Sequence, residues 1–399
     1  MKKLGLKKLR LLASLYVAQF LPVAFFMQTL PVFLRQRGVS LEAIGLTNLL
    51  SLPWTLKVFW SPIVDRHGWT RWGHYKAWIL ATQSFLVLTL IFCASLNIQT
   101  HFVLFMVGMF LAISCAATQD IATDALAVEM LDPSQRGLGN SIQGAGSYLG
   151  AILGGGGLLV LLDYWGWTGS LLVMALSVLL LMIPVLFHRE NVAAYASDQN
   201  LNWRLLVKFF HRPGMGRWIL VLLTYMMGAT IAHTMFRPLL VDLGLSLAQI
   251  GFMNGIIAYS AGLVGAIASG FLMKLLRGRK QALIIFGTLM AIAIAAFVIP
   301  TVGFTSLPVL YLVAIGFQFT YSMALIPMYT VMMDNSRLGM AGFDYTLQVS
   351  LVFVGSLIAG GMSGFIAEAI GYRGAFAVSA AIALASVIIV AKVFDDTKR

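Results

Sequence analysis

The sequence predicts an all-α integral membrane protein with twelve transmembrane helices arranged as two six-helix pseudo-repeats. Three observations lead there. The first is composition: 59% of the 399 residues are hydrophobic and 11% charged, whereas soluble domains carry roughly 25% charged residues. The second is length, because apolar runs of about 20 residues, enough for a helix to cross the hydrocarbon layer, recur along the whole chain. The third is an internal echo in which the same residues return some 205 or 206 positions later.

In chain order the first six spans are expected at 11–34, 41–64, 76–96, 101–130, 137–162 and 167–188. A polar segment, 189–216, follows. The remaining six fall at 217–241, 247–275, 281–302, 306–332, 339–369 and 372–394. The expected organisation is therefore an N-terminal bundle (1–188), a cytoplasmic linker (189–216) and a C-terminal bundle (217–399). The opening MKKLGLKKLR before an apolar run has the look of a secretory leader. That run is too long for a leader core and no small-residue cleavage site follows, so it reads as a retained first span.

Orientation follows from Lys and Arg, which gather in alternate connections. The opposite connections keep only Arg35, Arg37 and Arg373, which places both termini on the cytoplasmic side. The formal charge of +12 is spread over these loops rather than gathered in one patch, which argues against nucleic-acid binding. Cys93 and Cys115 both lie in spans and read as small buried residues rather than a disulfide framework.

The echo is specific. At an offset of 206, Gly38, Ser40, Leu41, Ile44, Gly45 and Asn48 meet Gly244, Ser246, Leu247, Ile250, Gly251 and Asn254. At 205, Gln143, Gly150, Gly155, Gly156, Gly166 and Gly169 meet Gln348, Gly355, Gly360, Gly361, Gly371 and Gly374. Parallel repeats of this kind place a transport site between the halves near mid-membrane. Glycines recurring at three- or four-residue spacing (Gly146, Gly150, Gly154 and Gly157), with similar sets in Gly262, Gly265 and Ser269 and in Gly355, Gly360 and Gly364, let helix backbones approach closely. They suit either ordinary helix packing or a sliding seam between the halves.

The chemistry concentrates in Thr118–Gly137, TQDIATDALAVEMLDPSQRG, which continues an apolar helix yet carries Gln119, Asp120, Asp124 and Glu129. A carboxylate at the bilayer centre costs about 2.5–3.5 kcal/mol on insertion scales, so it faces a cavity or a partner. Asp120 and Asp124, four apart, share one helix face. Lys57 interrupts the second span eight residues before Asp65, as Asp124 stands eight before Asp132, so the two charges are expected at similar depth and paired. Such a pair is either a static support or a site where proton or substrate competes for the acid. His233 and Arg237, four apart in the seventh span, are candidates to receive an anionic substrate group, unless Arg237 snorkels to the headgroups. Gln19, Gln143, Gln318, Tyr321 and Gln348 are candidates to line the same cavity, each also readable as an interhelical hydrogen bond. At the inner ends, Asp65, Arg66, Glu129, Arg136 and Arg337 form a candidate cytoplasmic gate, with Asp65 placed to meet a helix N-terminus.

The six histidines show no metal-ligand spacing, so no metal or other cofactor is expected. No nucleophile elbow or nucleotide-binding loop survives placement on these helices, so an enzyme is not expected.

The segments LPWTLKVFWSPIVDRHG and ATQDIATDALAVEMLDPSQRG resemble those of one subgroup of the major facilitator superfamily, on Lys57, Trp60, Pro62, Asp65 and Arg66 and then Gln119, Asp120, Asp124, Arg136 and Gly137. Asp65-Arg66-His67-Gly68 resembles the end of the facilitator signature G-x-x-x-D-R-x-G, with Ser61 at the first Gly. The subgroup holds AmpG-type muropeptide permeases, acetyl-CoA transporters and RhtX/FptX siderophore importers, and the chain is similar in length to the last. That resemblance implies proton-coupled import of an iron–siderophore complex across the bacterial inner membrane, without an ATPase subunit. The substrate would be a small, siderophore-like molecule, a candidate anion, and the other partners protons and membrane lipid. The alternative is an AmpG-like muropeptide permease or another small-molecule facilitator, including an exporter.

Overall fold

The computed structural model describes residues 5–30, 33–34, 50–68, 71–98, 100–190 and 203–394. Residues 41–49 of the second expected span, with Asn48, and 191–202 of the expected linker lie outside these, as do Arg35 and Arg37. Every element among the described residues is helical. Ten of the helices are long and apolar enough to cross a membrane. The expected twelve do not appear in that count, because the last two run together in one helix and the second is only partly described.

The chain divides into two units. The first holds Met1–Asn200 together with Ser336–Thr346, and the second holds Leu201–Asn335 and Leu347–Arg399. In the first unit α1 (Leu6–Ala24) passes into a π-helical turn, Phe25–Thr29. The second span is broken: α2 (Leu52–Leu56), a 3-10 turn (Lys57–Phe59) and α3 (Ser61–Arg66). Proline explains the break. Pro62 has no N–H to give to the carbonyl of Val58, four residues earlier, and the Ser61 hydroxyl donates to that carbonyl instead at 3.0 Å. There follow α4 (Tyr75–Ser95), α5 (Phe102–Met130) and α6 (Arg136–Ala151). A π-helical stretch, Ile152–Gly157, leads into α7 (Leu158–Leu186).

The core of this unit gathers on Trp167, whose ring lies 4.7 Å from Phe33, 5.1 Å from Phe105 and 5.6 Å from Phe25. The glycine stripe of α6 is seated on α1. A Cβ on Gly154 would lie 2.0 Å from the carbonyl oxygen of Leu21, and one on Gly146 would lie 2.8 Å from the Cβ of Tyr16. For these glycines the packing reading holds, since the seam they form is inside one unit.

The second unit contains α8 (Trp203–Phe210), α9 (Met215–Thr224), α10 (Met227–Asp242) and α11 (Leu247–Gly251). A third π-helical stretch, Phe252–Ala258, precedes α12 (Tyr259–Leu272). Then come α13 (Arg279–Ala295), α14 (Val298–Thr301) and α15 (Leu307–Asn335). The 53-residue α16 (Ala341–Val393) closes the chain. Its aromatic nucleus is Phe297, whose ring stands 4.5 Å from Phe236, 5.1 Å from Phe317 and 5.3 Å from Phe376. Helix α16 begins in the first unit and continues in the second. Gly371 turns it with φ +69°, as Gly166 turns α7 with φ +65°, a conformation that only glycine adopts at no steric cost. In both units large apolar side chains such as Leu88, Val103, Leu312, Leu357 and Phe365 point outward, the surface a bilayer would cover.

Candidate functional site

Helix α5 carries Asp120 and Asp124 one turn apart on its inner face, and both are buried, at 4% and 2% exposure. Lys57, at 1%, meets them from the 3-10 turn. Its ammonium donates to Asp120 Oδ2 and sits 4.8 Å from the ring of Trp54. Gln19 Nε2 donates to the other oxygen of Asp120. Asp124 is served differently: the Tyr16 hydroxyl donates to Oδ1 at 2.9 Å and Gln143 Nε2 to the same oxygen at 3.1 Å. Gln119 Nε2 donates to the Leu15 carbonyl at 3.4 Å, and the Trp60 indole N–H to the Thr118 hydroxyl at 3.2 Å. Four elements thus converge on two carboxylates and one ammonium.

The sequence places Lys57 level with Asp124, but the direct partner is Asp120, one turn away. The broken second span contributes about 1.5 Å of this shift. A 3-10 turn rises about 2.0 Å per residue against about 1.5 Å in an α-helix, so Lys57 stands further from Asp65 than an unbroken helix would put it. Among the described residues, Gln19 Oε1, Gln119 Oε1 and the Thr123 hydroxyl are buried with no hydrogen-bond partner. The cluster therefore keeps acceptors that a proton donor on a solute, or water, can use.

A second set of contacts forms around Ser336–Thr346. Asp65, buried at 8% exposure, accepts from the backbone N–H of Gly342 at 2.9 Å and of Phe343 at 2.7 Å, in the first turn of α16. The Tyr75 hydroxyl donates to it at 2.8 Å. Three donors and the positive end of a helix favour the carboxylate. Gly342 is required here, since a Cβ would stand 2.5 Å from Asp65 Oδ1. Glu129 Oε1 accepts from the N–H of Gly339 at 3.2 Å. Arg337 makes a two-point pair with Asp344, at 2.7 and 2.6 Å. Tyr345 Oη donates to Gln143 Oε1 at 3.3 Å. Arg136 is buried at the start of α6, whereas Arg66 is exposed.

The remaining candidates belong to the second unit. His233 lies flat over Phe317 at 5.9 Å, and Phe317 over Tyr321 at 5.6 Å, while Arg237 is exposed. Gln348 is fully buried, accepts the Trp218 indole N–H at 2.7 Å and donates to the Met332 carbonyl at 3.0 Å. It ties helices of its own unit together. Gln318 is buried in α15. Among the contributors that escaped the sequence reading are Tyr16, Tyr75, Asp344 and Tyr345. Tyr16 was within reach, because it stands three residues before Gln19 and so shares its helix face. Nothing local marked Tyr345. Among the described residues no group of three His, Cys, Asp or Glu could hold a metal ion.

A membrane-length helical bundle with an ion pair and a spare carboxylate buried among apolar helices has the build of a solute transporter. Residues 12–352 match the Major Facilitator Superfamily, and the chain belongs to that family, a multi-pass secondary transporter. It is 26% identical over 385 residues to the anhydromuropeptide permease of Escherichia coli K12, covering 95% of this chain and 78% of that one. It is also 26% identical over 296 residues to a putative transporter, AmpG 4, of Rickettsia felis, covering 70% of each. Among solved structures it resembles the E. coli fucose:proton symporter, with TM-score 0.73 and 13% identity over 97% of this chain and 98% of that one. A bacterial homologue of the iron transporter ferroportin gives TM-score 0.73 with 14% identity, over 98% and 99% of the two chains. At such identities the solved structures speak for the fold alone.

Proposed function

We propose that the protein is a proton-coupled permease of the bacterial inner membrane that imports an anhydromuropeptide-class solute, a sugar carrying a peptide, by alternating access. The observation that carries the coupling is the count of charges: one buried ammonium faces two buried carboxylates. One proton makes the set neutral, and a neutral set is far cheaper to hold among apolar helices. Asp120 keeps the ammonium directly, so Asp124, held by Tyr16 and Gln143, is the acid that takes the proton. The solute class rests on the named relatives. Their muropeptide permeases favour that class over the iron–siderophore complex implied by the RhtX/FptX likeness, and the proposal follows them. The buried acceptors of Gln19, Gln119 and Thr123 suit a solute rich in hydroxyl and amide donors.

The test is uptake of radiolabelled anhydromuropeptide, beside a labelled ferric siderophore, into cells lacking their own importers. Accumulation of the muropeptide, dissipated by a protonophore and lost in Asp124→Asn at normal membrane abundance, is the expected result. Accumulation of the siderophore alone would replace the solute class. Unimpaired driven uptake by Asp124→Asn would remove Asp124 from the coupling step.

A further inference from the structure

Gln143 touches both sets of contacts described above. Its Nε2 donates to Asp124 Oδ1 at 3.1 Å, and its Oε1 accepts from Tyr345 Oη at 3.3 Å. All three side chains are buried, Tyr345 completely. A carboxamide has one donating and one accepting end, so its orientation is dictated by its neighbours. Against ionised Asp124, which only accepts, Gln143 must present nitrogen, which leaves its oxygen for Tyr345.

Protonation of Asp124 changes what is asked of that amide. The acid gains an O–H that needs an acceptor, and the charge-assisted bonds from Tyr16 and Gln143 fall toward ordinary strength. Turning the amide over answers both demands, with oxygen now toward the acid and nitrogen toward Tyr345. The Tyr345 hydroxyl must then accept where it had donated, and its proton loses this acceptor in a buried site. Tyr345 is one residue from Asp344, which holds Arg337, and two from Phe343, whose N–H is bound by Asp65. Residues 347 onward belong to the second unit, and α16 runs through this boundary without a break.

We propose that Gln143 and Tyr345 form a polarity relay through which protonation of Asp124 loosens residues 336–346 from the first unit. The groups that face Asp124 are Tyr16 from α1, Lys57 from the 3-10 turn, Asp120 from α5 itself and Gln143 from α6. Of these, Gln143 also bonds Tyr345 within residues 336–346, which gives the signal a direct route. Gln143 and Tyr345 are positioning residues in this scheme. The relay rests on the reading of Asp124 as the protonated acid, and it gives that proton a mechanical consequence.

Amide hydrogen exchange reads the consequence directly, since the N–H groups of Gly339, Gly342 and Phe343 are bonded to Glu129 and Asp65. Full-length protein in phosphatidylethanolamine–phosphatidylglycerol nanodiscs is compared at a single pH of about 8. Asp124→Asn, a stand-in for the protonated acid, should exchange through 337–346 about tenfold faster than wild type. Tyr345→Phe, which removes one hydroxyl and keeps the ring, should reach a similar rate, and the double variant should go no further. Equal exchange in wild type and Asp124→Asn, or additive effects in the double variant, overturns the relay. Uptake measured on the same variants separates the two ideas. Lost uptake with unchanged exchange removes the relay and keeps Asp124 as the coupling acid. Faster exchange with intact driven uptake keeps the relay and removes that role.

Discussion

The two units solve the same packing problem and differ in what they bury. Gly150 sits 3.0 Å, by its would-be Cβ, from the carbonyl oxygen of Val17, and Gly355 sits 2.0 Å from that of Leu223. Both members of this contact recur 205 or 206 residues on. Gly166 and Gly371, again 205 apart, turn their chains with nearly the same φ. The charges do not recur. Lys57 gives way to Leu263, and the positions answering Asp120 and Asp124 hold Leu325 or Ile326 and Tyr329 or Thr330. The glutamine common to both shows the divergence most plainly. Gln143 serves a carboxylate, whereas Gln348 joins an indole to a backbone carbonyl. Close helix packing is thus a property of either unit, while the deeply buried ion cluster is in the first; the Arg279–Asp334 pair of the second, at 3.2 Å, is only part-buried.

The largest effect that could break this contrast comes from Lys57→Met. It strands two buried carboxylates and should cost about 3–5 kcal/mol, the usual penalty for removing one partner of a buried pair. Thermal unfolding in detergent would show it, and adding Asp120→Asn should recover most of the loss. Leu263→Met, at the matching place in the second unit, should be nearly silent. Smaller, and equal in the two units, is the effect of adding a methyl group where helices touch. Gly154→Ala and Gly355→Ala each push a Cβ to 2.0 Å from a backbone carbonyl oxygen. Each should cost about 1–3 kcal/mol by overpacking, and a clear inequality between them would mean that the two seams are not alike. A test of similar size sharpens the comparison at the shared glutamine. Gln348→Leu removes the acceptor of the Trp218 indole N–H and a donor to the Met332 carbonyl and should lower stability by about 1–3 kcal/mol with uptake retained. Gln143→Leu should cut uptake itself, and equal uptake in the two variants would erase the division of labour.

Part of this was legible in the linear chain. Asp120, Asp124 and Lys57 announced themselves because charge in an apolar run is costly and demands a partner. The approach of Asp65 to a helix N-terminus was visible in the same way, as an acid at the inner end of a span. Which acid Lys57 would choose was not visible, since the choice depends on how the broken second span meets α5 in space. Gln348 looked as good a site residue as Gln143, because a buried amide reads alike whether it bonds a carboxylate or an indole.

The chain by itself determined that this protein lives among lipids, which of its residues are too polar to be left alone there, and that its glycines recur at a fixed interval. These follow from hydropathy and spacing, properties of local sequence. Only the folded arrangement decided that Asp120 rather than Asp124 holds Lys57, and that residues 336–346 join the first unit through Asp65, Glu129 and Gln143. Those contacts span some 60 to 280 residues of sequence, and over such separations partner choice depends on how helices meet in space, which no periodicity records.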